Sequence, residues 1–173
     1  MKPCAAVSSI LLLAACLSGC GYALVGRASN IPEDIREVYI HPFENRTQRS
    51  QVEQEVTRSI AEEMVNRQRF SVVGGVEESD AELIGAVTAF GVTPVTFDET
   101  GRATEYEISI TAQVSFKRKG SDELIWSNDR YVFRESYPID PDSPDYFDRE
   151  NEAIREAAER FAESMVADLL EGF

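Results

Sequence analysis

One segment, from Tyr106 to Lys117, constrains the fold more than any other part of the sequence. Apolar or aromatic side chains occupy every second position from Tyr106 to Phe116, and polar side chains alternate with them. This strict two-residue period is typical of a strand that has one face on a core and the other toward water. The polar turn at 119–122 and the aromatic-rich segment Glu123–Tyr137 then predict a hairpin partner.

Two other segments have the three-to-four-residue spacing of amphipathic helices. In the first, Val52–Val65, apolar side chains recur along one face, and Ser50 and Glu53 match a capping box at the start. In the second, Ile154–Leu169, glutamate and arginine fill the face opposite the apolar positions. Each helix therefore has one apolar face to bury.

Three further segments are rich in β-branched and aromatic residues: Glu37–Phe43, Phe70–Val73 and Ala81–Phe97. Gly85, Gly91 and Pro94 within the last segment predict a bulge or bend, and residues 44–47 are interpreted as a loop. The order β-α-β-β-β-β-α combines two one-sided helices with strands that are polar on one face. It predicts an α+β fold in which two helices pack on one face of a mixed, mainly four-stranded β-sheet.

The N-terminal segment indicates export and lipidation. Lys2 precedes the apolar run 5–17, and Ser18 and Gly19 stand directly before Cys20. This layout predicts a lipoprotein signal peptide at residues 1–19 and acylation of Cys20. Cys16, which also follows small residues, is an alternative cut site. We expect a lipidated tether at 20–36, a single domain at 37–173, and no later segment long enough to span a membrane.

Composition argues against catalysis and against nucleic acid. Of the three cysteines, two leave with the signal peptide and the third carries lipid. The one histidine, His41, is interpreted as a structural residue whose ring has a partner. The acidic loop 140–145 lacks the glycine and the distant glutamate of a calcium loop. The net charge of −14 opposes binding to phosphate backbones. We expect no enzyme, cofactor or metal site.

Three consecutive cations, Lys117, Arg118 and Lys119, stand out in this acidic chain. One interpretation is a solvated hairpin tip whose lysines blunt an edge strand. The other is a contact to an anion, in which lysine acts as a point charge and arginine as a bidentate donor. The sequence leaves both open.

Several segments, in this order, resemble the LPS-assembly lipoprotein family, LptE or RlpB. They are Cys20-Gly21-Tyr22, the short tether, the segment VYIHPFENRT at 38–47, the capped helix, the segment SDAELIG at 79–85, the long hairpin and the C-terminal helix. The resemblance covers essentially the whole mature chain, and Cys-Gly-Tyr favours Cys20 over Cys16 as the lipidated residue.

The resemblance implies a protein on the periplasmic face of the outer membrane, with its domain plugged one-to-one into the β-barrel of LptD. It implies a part in barrel assembly and in lipopolysaccharide delivery to the outer leaflet. Lipopolysaccharide contacts in this family involve basic residues, and Lys117, Arg118 and Lys119 are candidates on charge alone. Gly21 is not the aspartate that typically retains such lipoproteins in the inner membrane.

A second hypothesis is a periplasmic lipoprotein that regulates a cell-wall synthase or acts as an adaptor of a secretion complex. The PFEN turn after a strand, here at 42–45, is also found in penicillin-binding-protein activators and in curli-secretion-type lipoproteins. Loss of such a protein would disturb the cell wall or secretion while lipopolysaccharide export continues.

Overall fold

The computed structural model describes residues 31–140, 142 and 146–172. Its elements, in chain order, are β1 (Glu37–Ile40), β2 (Glu44–Asn45), α1 (Val52–Asn66), β3 (Ser71–Val72), a 3-10 turn (Val76–Glu78), β4 (Ala81–Phe97), β5 (Ala103–Arg118), β6 (Leu124–Pro138) and α2 (Tyr146–Glu171). The predicted signal peptide and both candidate lipidation sites, Cys16 and Cys20, lie outside the described residues. Within them, no helix has the length and apolar character needed to cross a bilayer.

The sheet has six strands in the order β3-β1-β4-β5-β6, with β2 beside β4. β1 is parallel to both β3 and β4, β2 is parallel to β4, and the long strands β4, β5 and β6 form an antiparallel meander. The predicted α+β class is confirmed, but the sheet has six strands rather than mainly four. The short strand predicted at 70–73 is present as β3. β2 lies in residues 44–47, which were interpreted as a loop because a two-residue strand shows no side-chain period.

The core lies between the sheet and both helices. On β5, Ile108, Ile110 and Phe116 are buried, and they share one core with the buried residues of α1 and α2. The rings of Tyr131 and Phe133 on β6 meet the ring of Phe161 on α2 edge-on. Both helices therefore cover the face that the two-residue period assigned to the core, and the opposite face of the meander stays uncovered in the part of the chain described.

The start of α1 differs from the prediction. The helix is preceded by Gln51 in the left-handed region (φ 69°), and no side chain caps its first turn. Glu53, the expected partner in the capping box, instead accepts a hydrogen bond of 2.6 Å from Asn45 Nδ2. The prediction of a capping box was therefore wrong, because the Glu53 carboxylate bonds the preceding loop instead of the start of the helix. At the other end of the chain, α2 stops at Gly172 with a positive φ, as its sequence predicts.

Strand β4 runs through all three predicted breakers. Register shifts lie between Val87 and Ala89 and around Pro94–Phe97, so the predicted irregularity occurs at the proline. Gly85 and Gly91 pair regularly with Val114 and Ser109, so neither is a bulge. Gly85 is required by packing instead, because a Cβ there would lie 2.3 Å from the ring of Phe43.

Candidate functional site

The segment VYIHPFENRT joins β1, β4 and α1. Phe43 is 3% exposed, its ring lies against Gly85 of β4, and its backbone N–H donates to Thr57 Oγ1 of α1 at 3.0 Å. The Thr57 hydroxyl in turn donates to the carbonyl of Glu53 at 2.6 Å. This part of the motif therefore fixes how the first helix sits on the sheet.

Asn45 organises the loop that leads into α1. Its Nδ2 donates to the carbonyl of Arg49 at 2.7 Å and to Glu53, while its Oδ1 accepts from the backbone and hydroxyl of Thr47, both at 2.8 Å. Sequence reasoning did not single out Asn45. The signal was the Asn-x-Thr spacing, since asparagine commonly accepts a hydrogen bond from the backbone two residues on.

His41 belongs to a polar cluster on the uncovered sheet face. Its Nε2 forms a hydrogen bond of 2.7 Å with Glu82 Oε2, and its ring meets Tyr39 edge-on at 4.7 Å between centroids. Glu82 is 8% exposed, and Lys117 Nζ lies 4.0 Å from its other oxygen. The expectation that the ring has a partner is confirmed, and the cluster ties three adjacent strands together.

The basic residues 117–119 lie at the end of β5, where it pairs with the beginnings of β4 and β6. β5 is an interior strand, so the triplet lies at a hairpin turn but does not blunt an edge, and that part of the interpretation was wrong. Arg118 pairs with Asp34 at 2.7 Å and lies 3.7 Å from Glu123. The hydrogen bond lowers the pKa of Asp34 and raises that of Arg118. Lys119 Nζ donates to the carbonyl of Glu77.

The three cations therefore differ in how far their charge is already paired within the protein, and so in how available they are to an external anion. Lys117 and Arg118 each face carboxylates, whereas Lys119 bonds a neutral carbonyl and forms no ion pair with the described residues. A contact between the triplet and lipopolysaccharide stays a prediction, and Lys119 is the member without an ion pair, although the Asp80 carboxylate interacts with its charge.

The uncovered face of the meander mixes small, polar, charged and a few apolar side chains. Ser109, Thr111 and Ser115 of β5 stand in register with Gly91, Ala89 and Ile84 of β4 on one side and Arg134, Val132 and Ser127 of β6 on the other. A 16-residue strand is about 50 Å long at the usual rise. This open sheet face is therefore a long, shallow surface that another protein can approach closely.

The far end of the β4–β5 hairpin is a stiff turn. Asp98 Oδ1 accepts hydrogen bonds from the Thr100 hydroxyl at 2.6 Å, the Thr100 N–H at 2.8 Å and the Arg102 N–H at 3.0 Å. These bonds hold the pKa of Asp98 far below its usual range. Arg102 also bonds Asp142 of the acidic loop at 2.6 Å. In the described residues, no group of three potential metal ligands occurs.

Comparison with known proteins gives a family match over most of the chain. The sequence model of the LptE lipopolysaccharide-assembly family matches residues 35–169. No curated protein matches the chain significantly by sequence.

Solved structures share the fold at low sequence identity. The hypothetical protein CT253 of Chlamydia trachomatis is 12% identical over 80% of this chain and 97% of its own, with a TM-score of 0.53. A lipoprotein of Caulobacter crescentus is 14% identical over 75% and 88%, with a TM-score of 0.50. The rare lipoprotein B of Shewanella oneidensis is 19% identical over 76% and 95%, with a TM-score of 0.47. The first two support the fold alone.

Proposed function

The chain belongs to the LptE family of lipopolysaccharide-assembly proteins, and we propose that it is a non-catalytic, lipid-anchored subunit that fills the lumen of an LptD-type β-barrel. In this proposal the subunit assists assembly of the barrel and takes part in moving lipopolysaccharide to the outer leaflet. The partner stoichiometry is one to one.

The observation that carries the proposal is the open sheet face, taken together with family membership. Barrel interiors are polar, and this face offers them serine, threonine and charged side chains, with alanine and glycine at some positions. The exposed Ala89 and Ser127 lie on this face, and neither is needed for the core on the other side. The open sheet face is thus the surface that we assign to the lumen wall.

The proposed anchor is lipid on Cys20, at the periplasmic side of the outer membrane. Cys20 and Ile31 are eleven positions apart, so a fully extended tether reaches about 40 Å at most. Several acyl chains, each contributing about 0.8 kcal/mol per buried methylene, hold a protein at a membrane more firmly than a single chain does. Such a tether keeps the domain within reach of a barrel in the same membrane.

The test is copurification from outer-membrane extracts with a tagged full chain. We expect a large β-barrel protein in a one-to-one complex with the wild type. Ala89→Arg, which places a long cation on the open sheet face, should reduce the recovered barrel strongly. Gln54→Arg adds the same charge at an exposed position of α1 and should leave recovery unchanged.

Three results would contradict the proposal. One is recovery of no barrel with the wild type, and another is recovery of a cell-wall synthase or secretion ring in its place. The third is an equal effect of Ala89→Arg and Gln54→Arg, which would mean that the open sheet face is not the docking surface.

A further inference from the structure

The second half of β4 has a free edge. On the side of β4 away from β5, strands β1 and β2 pair only with residues 81–83 and 86–87. The last hydrogen bond on that side runs from the Arg46 N–H to the Val87 carbonyl, at 2.9 Å. From residue 88 to residue 97, no strand of the described chain lies there. Because successive residues of a strand direct their backbone groups to opposite sides, about half of these residues present theirs to solvent.

The free edge, residues 88–97, also carries no charge. Glu82 and Asp98 bracket fifteen consecutive positions, 83–97, without an aspartate, glutamate, lysine or arginine. No stretch after residue 26 is longer, in a chain in which 28% of the residues are charged. Val95 and Phe97 at its end are 47% and 56% exposed. Natural edge strands are usually guarded by charged side chains, so an uncharged edge of this length is a template for another strand.

The opposite edge of the meander, formed by β6, is guarded. Two acidic and two basic side chains lie on β6 between positions 129 and 135, and register shifts interrupt its pairing with β5 at two places. Charges and bulges are the usual devices that prevent a sheet edge from pairing. The free edge of β4 has Pro94, which removes one N–H donor, but the donors of residues 88–93 remain. Of the two edges, only that of β4 is open to a further strand.

We propose that a second copy of this chain covers the free edge, with the two β4 strands antiparallel about a two-fold axis. An antiparallel pair of identical edges is self-complementary, because each copy contributes the same residues. The charge pattern favours this occupant. Each copy has a net charge of −14, so two copies meet most readily where both lack charge, and the free edge is such a place.

This inference does not rest on the proposed function. The proposed barrel contact uses the open sheet face, whereas the second copy pairs with the backbone at the edge of the same sheet. A barrel that holds one domain must displace the second copy, so the dimer is the form of the chain before docking.

The test is crosslinking of the intact lipidated chain in membranes. Cysteines occur only at positions 4, 16 and 20, so an introduced thiol is the only free one in the predicted mature chain. Thr93→Cys places a thiol near the middle of the free edge, and Arg130→Cys places one at an exposed position of β6 as the matched control. With a short bismaleimide, we expect a product of twice the mass from Thr93→Cys and none from Arg130→Cys.

A second pair of variants tests the absence of charge directly. Val95→Lys adds a charge to the free edge, and Val132→Lys adds the same charge on β6, where the valine is 37% exposed. In the Thr93→Cys background, Val95→Lys should lower the crosslinked fraction about tenfold, because the two-fold axis brings two lysines into one interface. Val132→Lys should leave that fraction unchanged, and circular dichroism checks that both variants fold.

Four results would overturn the inference. Two are the absence of a dimer from Thr93→Cys and equal crosslinking of Thr93→Cys and Arg130→Cys. The third is a product that joins Thr93→Cys to a different protein, because the free edge would then serve another chain. The fourth is an equal effect of Val95→Lys and Val132→Lys. Recovery of a barrel with the tagged chain is a separate measurement, so the proposed function can fail or hold independently.

Discussion

Gly85 and the ring of Phe43 are in contact so close that no side chain fits between them. A Cβ on Gly85 would lie 2.3 Å from the Cε2 atom of the ring, and the ring itself is 3% exposed. The contact joins the middle of β4 to the turn that leads from β1 toward α1. The orientation of α1 therefore depends on the absence of a side chain at Gly85.

Gly85→Ala should destabilise the protein by about 1–3 kcal/mol, the usual range for an overpacked core. Urea denaturation measures the change in the free energy of unfolding. Gly75→Ala is the control, because nothing lies within 4 Å of a Cβ at that position. Adding Phe43→Leu to Gly85→Ala should recover part of the loss. Equal stability of the two alanine variants would contradict the proposed contact.

Tyr131→Phe should lower the free energy of unfolding by about 1–2 kcal/mol at pH 7. The Tyr131 hydroxyl donates to Asp168 at 2.9 Å and lies 2.7 Å from Ser164 Oγ, so it joins β6 to α2. Tyr39→Phe is the matched control, since the Tyr39 hydroxyl forms no hydrogen bond with the described part of the chain. Similar losses in the free energy of unfolding of the two variants would mean that the hydrogen bonds of Tyr131 do not cause the effect.

Ionisation of the Tyr131 phenol should also lower the free energy of unfolding at alkaline pH. Burial raises the pKa of Tyr131 to about 12, above its ordinary value of 10. A pKa that is raised in the folded state means that the stabilisation is complete below pH 10 and is lost between pH 10 and 12. The wild type should therefore lose stability more steeply than Tyr131→Phe over this interval. Parallel curves for the two proteins would contradict the assignment.

Asp80→Ala should lower the melting temperature at neutral pH. Asp80 Oδ2 accepts the backbone N–H groups of Glu37 at 3.0 Å and Arg36 at 2.9 Å, which fixes the start of β1, and these bonds lower the pKa of Asp80. Because its pKa is lower in the folded state, the Asp80 carboxylate stabilises the fold at pH values above its ordinary pKa near 3.8. This stabilisation is lost as the pH falls below that value. The two melting temperatures should therefore converge in acid. Asp122→Ala, at an exposed turn position, should have no such effect.

Lys119→Gln should reduce photocrosslinking of lipopolysaccharide to the full chain without changing its melting temperature. Its ammonium group has no ion pair among the described residues, so its removal leaves no carboxylate unpaired. Arg118→Gln should show the converse behaviour, because it leaves Asp34 and Glu123 without their partner. Unchanged crosslinking in Lys119→Gln would exclude Lys119 as a lipopolysaccharide contact.

Cys20→Ser should abolish lipidation and release the chain from the outer membrane, whereas Cys16→Ser should leave both lipidation and localisation intact. Mass spectrometry of the mature N-terminus and membrane fractionation measure the two effects. The reason is that the diacylglycerol thioether forms at the cysteine that follows the cut site. Loss of lipidation in Cys16→Ser alone would move the cut site to residue 16.

The long periodic elements could be predicted from the sequence because each one carries its own signal. β5, α1 and α2 each bury one face along many residues. The repeated apolar positions on that face are the signal. The two-residue strand β2 has no such signal, because its pairing depends on where β4 lies. Gly85 was predicted to mark a bulge or bend, which was wrong, and the reason for a glycine there is a ring that lies 42 positions earlier in the sequence.

Candidate functional residues could be predicted only where they are neighbours in the sequence. The charge run 117–119 is visible as a run, but the partner of Arg118 is Asp34, 84 positions away. The cleft between the start of α1 and the first turns of α2 is lined by residues from both helices, so no spacing in the sequence connects Arg49 and Arg58 with Arg155. Such sites become visible only when packing brings the two helices together.

The parallel pairing of β1 has a consequence for the order in which the chain can fold. The meander β4–β5–β6 joins neighbours in sequence through two short turns, so its formation costs little loop-closure entropy. Strand β1 and helix α1 are synthesised before the rest of the sheet, yet the partners of β1 are residues 71–83. The N-terminal third of the chain must therefore stay unpaired until residues 71–83 have been synthesised, and until then the apolar face of α1 has no complete sheet to cover.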